Sequence, residues 1–316
     1  MQAHSVAVII AAYNAETTIL RAINSALAEP AVSEVIVVDD ASTDHTLDIA
    51  RTADDDSGRL KTIALSVNGG PAAARNKALS ICTSSWISIL DSDDYFLPGR
   101  IAGILAYADN AEMIADDMWQ VAEANLDGPR KLLLNGKLKL PCMISTTDFI
   151  LSNISKRHNE RSELGFIKPL ISKAFLDHHN IRYNEKMRLG EDYELYTRAM
   201  ALGARLYLVP AQGYISVIRK NSLSACHSEH DLLQLRNSDT ALMALPSITH
   251  QEIMALRSHY LSIDCKLQWR LLINAVKKHD LYKCLQCYMQ PWPVPLYLTQ
   301  QLIEQFKLRI IKRQRP

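Results

Sequence analysis

Neither sign of charge predominates in this sequence. Lys+Arg number 35 against Asp+Glu 34 in 316 residues, a formal net charge of +1. Without a global basic field, nucleic acid is not an expected partner. No apolar run reaches the roughly 18 residues that would mark a membrane-spanning helix. The opening stretch MQAHSVAVIIAAYN has no basic n-region and runs straight into a strand pattern, so it does not read as a signal peptide. Internal repeats and low-complexity linkers are absent. Cysteine order is lacking too: Cys82, Cys142, Cys226, Cys265, Cys284 and Cys287 are scattered. The pair Cys284-x-x-Cys287 has no two further ligands at zinc spacing, so packing as small hydrophobes is expected. What remains is 48% hydrophobic and 22% charged, the mix of a globular, cytoplasmic protein, long enough for about two domains.

Strand and helix patterns alternate through the first hundred residues. Val6–Ile10, Val35–Val38, Lys61–Leu65 and Trp86–Leu90 read as strands. Asn14 is placed to cap a helix over Ala15–Ala28, and Ser42 one over Thr43–Thr52. Pro71 opens a helix to about Ile81, where its missing N–H does no harm, and Pro98 opens the next. Uninterrupted apolar strands alternating with helices predict an α/β fold, a mostly parallel sheet covered on both faces. Ligands of such sheets bind beyond the carboxyl ends of the strands. Those ends carry Ala11-Ala12-Tyr13-Asn14, Asp39-Asp40, Asn68-Gly69-Gly70 and Asp91-Ser92-Asp93-Asp94.

Order loosens between Met113 and Pro169. Met113–Ala115 reads as a strand, Leu126–Lys139 as a hairpin or loop, and Thr146–Ser155 as a helix. Helices over Ser172–His179 and Glu191–Leu202 and strands over Arg205–Val209 and Tyr214–Ile218 follow. After about Ser228 only helical patterns appear.

Two Asp-x-Asp triplets occur. Asp54–Asp56 lies between a helix and a strand beside Ser57-Gly58 and reads as a solvated turn. Asp91–Asp93 directly follows an apolar strand. Carboxylates clustered there repel one another unless a cation binds, and oxygen ligands suit Mg²⁺ or Mn²⁺.

Five motifs stand in register: Val8–Asn14, Val35–Asp44, Gly70–Asn76, Leu90–Asp94 and Gly190-Glu191-Asp192-Tyr193. Together, over about residues 5–225, they resemble the family 2 inverting glycosyltransferases of GT-A fold, and within them the bacterial exopolysaccharide glucosyltransferases of succinoglycan type. The resemblance implies a GT-A domain over 1–228, with a nucleotide-binding half 1–112 and an acceptor-binding half 113–228. A helical C-terminal region, 229–316, follows. It implies a UDP-sugar donor, a divalent cation (Mn²⁺ or Mg²⁺), and a saccharide or lipid-linked acceptor.

Residue roles follow from the same likeness. Tyr13 and the backbone of Ala11 frame the base, with Asn14 in the same loop. Asp40 or Asp39 accepts the base's N–H, as an acceptor-only carboxylate suits an imide donor. Arg75 faces the pyrophosphate. Asp93 holds the metal, and Asp91, beside Ser92, is directed at the ribose or a metal-bound water. Asp192 is the base that deprotonates the attacking hydroxyl, and Glu191 supports it. Arg219, Ser222 and Ser224 belong to a loop that closes over the phosphates, and His227 adds a metal contact. The Gln-x-x-Arg-Trp motif of processive synthases is missing, so single addition is expected.

Leu298, Leu302, Ile303, Phe306 and Ile310 recur at helical spacing, and Lys307, Arg309, Lys312, Arg313 and Arg315 crowd the end. This pattern fits either a helix lying on the inner membrane's cytoplasmic face or one packed on the domain. Three other functions compete with the transferase. An aspartyl-phosphate hydrolase could claim Asp91-Ser92-Asp93, but Tyr95 stands where a small Thr or Val is usual. A nucleotide-sugar pyrophosphorylase would need a Gly-rich loop after the first strand, which is absent. A catalytically degenerate sugar-nucleotide-binding subunit would not need Asp93 and Asp192.

Overall fold

The computed structural model describes residues 4–154, 164–219 and 227–313. The chain forms two compact units, Met1–Ala225 and Cys226–Pro316. In the first, Val6 to Ile10 are wholly buried, and their strand, Val6–Ala12, is an inner strand of an eight-stranded sheet. Parallel neighbours Val32–Asp39 and Trp86–Ile89 flank it, with Leu60–Ala64 outside the former. Beyond Trp86–Ile89 the order continues Leu170–Ser172, Met113–Asp116, Leu206–Val209 and Cys142–Ile144.

The sheet is mixed rather than uniformly parallel. Leu170–Ser172 runs antiparallel between Trp86–Ile89 and Met113–Asp116. Three residues behind a proline carry no period to read, which hid this strand. A second sheet joins Tyr95–Phe96, Tyr214–Ile218, Trp119–Ala122 and Lys131–Leu132. It ties the segment after Asp94 to the strand that precedes Arg219.

Two expected helix caps are corrected. The first helix is Ile19–Leu27 and the second Thr46–Thr52. Asn14 does not cap: it takes φ +48°, which Asn tolerates, and its Oδ1 accepts the Thr43 N–H at 2.9 Å. Ser42 Oγ accepts the Asn14 N–H at 2.9 Å. These two side chains tie the first two strand ends together instead of starting helices. Asp54–Asp56 is an exposed turn, with Asp56 at φ +57°.

Glu34, in the second strand, gathers Lys61 Nζ at 2.6 Å, Ser84 Oγ at 2.6 Å, and the Oγ1 and N–H of Thr83 at 2.8 and 3.0 Å. Burial alone would raise its pKa, but the donors from Lys61, Ser84 and Thr83 outweigh burial and hold it at about 2. A folded pKa below the unfolded one stabilises above the unfolded value and is lost as pH falls through the folded one. One pKa unit is worth about 1.4 kcal/mol, and solvent around the half-exposed Lys61 screens part of the total. Glu34→Gln should therefore cost about 2 kcal/mol at pH 7. Urea unfolding should show that deficit shrinking between pH 4.5 and about 2. A deficit that stays constant across that window would exclude the ionised Glu34 as its source.

The second unit comprises helices Glu229–Met243, His250–Lys277, Leu281–Tyr288 and Val294–Arg313 among the described residues. Ser228 with Asp231 and Thr249 with Glu252 form capping boxes, each satisfying two helix-end donors. Cys265, Leu272, Cys287, Val294 and Leu298 form a core, with Cys284 packed against it. The Cys284-x-x-Cys287 pair thus serves as packing. Of the apolar tail positions, Leu298 is buried, while Leu302, Ile303 and Phe306 are exposed.

Candidate active site

The loops at the carboxyl ends of three parallel strands define the site. On the first, Ala11 is half-buried and pairs with Val38, and Tyr13 is exposed beyond it. At the second, Asp39 and Asp40 are both buried but differ in what they hold. Asp40 Oδ1 and Oδ2 accept the N–H groups of Gly69 and Gly70 at 2.7 and 2.8 Å. It thereby fixes the start of the helix Gly70–Ile81. Asp39 Oδ2 accepts the Ser42 N–H at 3.2 Å, whereas its Oδ1 is buried without a partner. A buried acceptor left unsatisfied is costly and calls for a donor from water or a ligand.

The loop after Trp86–Ile89 carries four polar residues with different surroundings. Asp94 is buried; its oxygens accept Tyr214 OH and the Val217 N–H, both at 2.8 Å. Burial and the neighbouring Asp91 push its carboxyl well above the usual range, so it serves to pin the loop to the second sheet. Ser92 is half-buried between the two aspartates.

Asp93 meets two arginines. Arg21 Nη2 donates to the Asp93 carbonyl at 2.5 Å, and Arg219 Nη2 lies 2.6 Å from Asp93 Oδ2. Burial and the like charge of Arg21 lower the Arg219 pKa. The Nε atoms of both arginines are buried without hydrogen-bond partners. Two crowded guanidiniums with unused donors make an anion-seeking corner. Arg21 carried no sequence signal, since it sits on a helix face like many surface arginines.

Asp91 belongs to a second cluster. Arg75 Nη2 donates to Asp91 Oδ1 at 3.0 Å, and its Nη1 reaches Glu191 Oε1 at 2.6 Å and Asp192 Oδ1 at 3.1 Å. Lys168 Nζ lies 3.0 Å from Asp91 Oδ2 and 2.6 Å from Asp192 Oδ2. Burial opposes Asp91's charge, but Lys168 and Arg75 overcome it and hold its carboxyl well below the usual range. Burial likewise disfavours the Lys168 ammonium, yet Asp192 and Asp91 raise its pKa. Glu191 is shifted upward, by burial first and then by Asp192. Arg75, expected to face a pyrophosphate, instead directs its guanidinium to three protein carboxylates.

Local folding explains this convergence. Gly190, at φ +76°, turns the chain into the helix Glu191–Ala201, whose N-terminal end favours acidic side chains. The register of Leu170 opposite Ser88 carries Lys168, two residues earlier, up to Asp91. Lys168 lies in Phe166–Leu170, a stretch that by sequence resembles the family's acceptor side, and its individual signal is a lysine flanked by Ile167 and Pro169 within an apolar run.

Ser222 and Ser224 lie outside the described residues. His227 belongs to the second unit, where its charge bears on Asp231. No group of three metal-ligating side chains occurs among the described residues. Asp93 nevertheless suits a cation that arrives with a diphosphate: a guanidinium already stands at its oxygen. Phosphate oxygens can complete a Mg²⁺ or Mn²⁺ shell around one or two carboxylates.

The fold is that of the GT-A glycosyltransferases. S. aureus TarS 1–349 in complex with UDP-GlcNAc superposes with a TM-score of 0.61 at 21% identity, covering 88% of this chain and 89% of that one. The glycosyl transferase family 2 profile matches residues 7–166. Succinoglycan biosynthesis protein ExoU of Rhizobium meliloti (strain 1021) is 45% identical over 273 residues, 85% of this chain and 78% of the relative. ExoO of the same strain is 40% identical over 220 residues, 68% of this chain and 61% of that protein. The chain belongs to glycosyl transferase family 2.

Proposed function

We propose that this chain is an inverting glycosyltransferase that moves a single hexose from a UDP-sugar to a saccharide or lipid-linked oligosaccharide in exopolysaccharide synthesis. One observation carries the reading: Arg75 and Lys168 join the strand-end Asp91 to the buried pair Glu191-Asp192. A donor held at the strand ends and a base for the acceptor are thereby fixed in one frame. Kinship with ExoU supports polysaccharide synthesis. Residues 1–112 hold the nucleotide and 113–228 the acceptor. The enzyme works at the cytoplasmic face of the inner membrane, with its basic tail helix against the lipid.

Asp39, rather than Asp40, takes the base's N–H, because its Oδ1 is the unfilled acceptor. Tyr13, Ala11 and Asn14 border that position. Arg21 and Arg219 receive the diphosphate, and Ser222 extends the same loop. Asp93 would hold Mn²⁺ or Mg²⁺, which supplies charge neutralisation to the departing UDP.

The acceptor oxygen attacks the anomeric carbon as the bond to the diphosphate breaks, and its proton passes to Asp192. Each carboxylate oxygen has two lone-pair positions, so Asp192 can orient through Arg75 and Lys168 and still accept that proton. Glu191, hydrogen-bonded to Arg75 alone of the two cations, steadies the guanidinium.

The experiment is UDP or GDP release from a panel of nucleotide sugars with Mn²⁺ present. Hydrolysis of a UDP-hexose, accelerated by a saccharide acceptor, is expected. A requirement for pyrophosphate or a nucleoside triphosphate would assign a pyrophosphorylase. Binding without turnover would assign a sugar-nucleotide-binding subunit.

A further inference from the structure

The second unit leaves an apolar face uncovered. On the helix Leu281–Tyr288, Cys284, Cys287 and Tyr288 pack into the unit's core. Leu281, Tyr282 and Leu285 point away from it, and Met289 and Trp292 follow in the next turn; all five are 60% to 83% exposed. At about 100° per residue, positions 281, 282, 285 and 289 fall within an arc of about 100°. Single exposed apolar residues are ordinary, but a contiguous stripe marks a docking surface.

We propose that this stripe docks on an anionic lipid bilayer. The charge around it decides the partner. Lys277, Lys278 and Lys283 flank the stripe, against one carboxylate, Asp280. Asp280 is engaged as the helix cap, accepting the Lys283 N–H at 2.9 Å. Apolar residues bordered by lysines are the pattern of helices that lie in a membrane interface. Lysine stems can lie along the acyl boundary while their ammonium groups reach the headgroups. Tyr282 and Trp292 are the side chains enriched at that depth. A second copy of the chain fits less well, because two-fold pairing would bring the lysines of both copies to one interface. No described helix is long and apolar enough to cross a membrane, so the contact is peripheral. The surface extends the membrane contact in the reading above, but its test does not depend on transfer.

The test is co-sedimentation of the full chain with vesicles of phosphatidylcholine alone or mixed with phosphatidylglycerol. Wild type should bind the mixed vesicles, and binding should weaken as salt rises. The double variant Leu285→Asp/Met289→Asp should bind at least tenfold more weakly. Both positions are exposed, so its circular dichroism should match wild type, and UDP release with a soluble acceptor should be unchanged. Equal vesicle binding by variant and wild type would overturn the proposal, as would no binding by wild type. Conversion of a wild-type dimer to a monomer by the double variant would instead assign the face to self-association. A wild type that binds the mixed vesicles but releases no UDP from any UDP-sugar would count against the transferase reading and leave the docking surface standing.

Discussion

Asp192→Asn should lower kcat by about 10²–10⁴-fold, the range a positioned general base contributes. The substitution keeps the side chain's shape and removes its basicity. It also leaves the buried cluster in balance, because Asp91 and Glu191 then face Arg75 and Lys168, two charges of each sign. Misfolding is therefore not the expected outcome, and thermal unfolding should remain cooperative. Glu191→Gln should cost less, because Glu191 acts through Arg75. The readout is UDP release with acceptor present. A larger loss in Glu191→Gln than in Asp192→Asn would exchange the two roles. The upward shift of the Glu191 carboxyl makes that the specific alternative.

Asp93→Ala should lower turnover by more than about 10²-fold, comparable to removing one preorganised group that stabilises developing charge. Wild type in excess EDTA should fall to a similar level. Asp93 is partly exposed and its side chain pairs only with Arg219 among the described contacts, so the fold should persist. The substitution leaves Arg219 under the like charge of Arg21, with Glu123 Oε1 3.9 Å from its Nε. An Asp93→Ala enzyme with normal turnover, insensitive to EDTA, would leave the leaving group to those two arginines.

Burial made much of this architecture legible. Continuous apolar runs as short as Val6–Ile10, bounded by turn signals, fit inner strands, and their carboxyl ends placed Asp39, Asp91 and Asp93 without coordinates. The helix from Pro71 to Ile81 was readable because proline at a first turn is a local signal. The Asn14 and Ser42 caps misled because a side chain that can bond a nearby helix N–H can equally bond another loop, and only the juxtaposed strand ends decide. The ion pairs that Lys168 and Arg75 make with the carboxylates escaped for a different reason. Arg75 meets Glu191 across 116 positions, and Lys168 reaches Asp91 only through the antiparallel pairing of a three-residue strand. Such pairings are set by sheet order, which no local pattern encodes. The proposal of Asp39 over Asp40 likewise rests on which carboxylate the Gly69-Gly70 amides occupy.

In the proposed mechanism Asp192 serves the acceptor's proton while Asp93 serves the donor. Calorimetric titration of UDP with Mn²⁺ into both variants, read beside their turnover, tests it most directly. Asp192→Asn should bind UDP as wild type does despite its lost turnover, and Asp93→Ala should bind weakly. An Asp192→Asn enzyme whose whole defect is lost UDP binding would contradict it, and would make Asp192 part of the donor site.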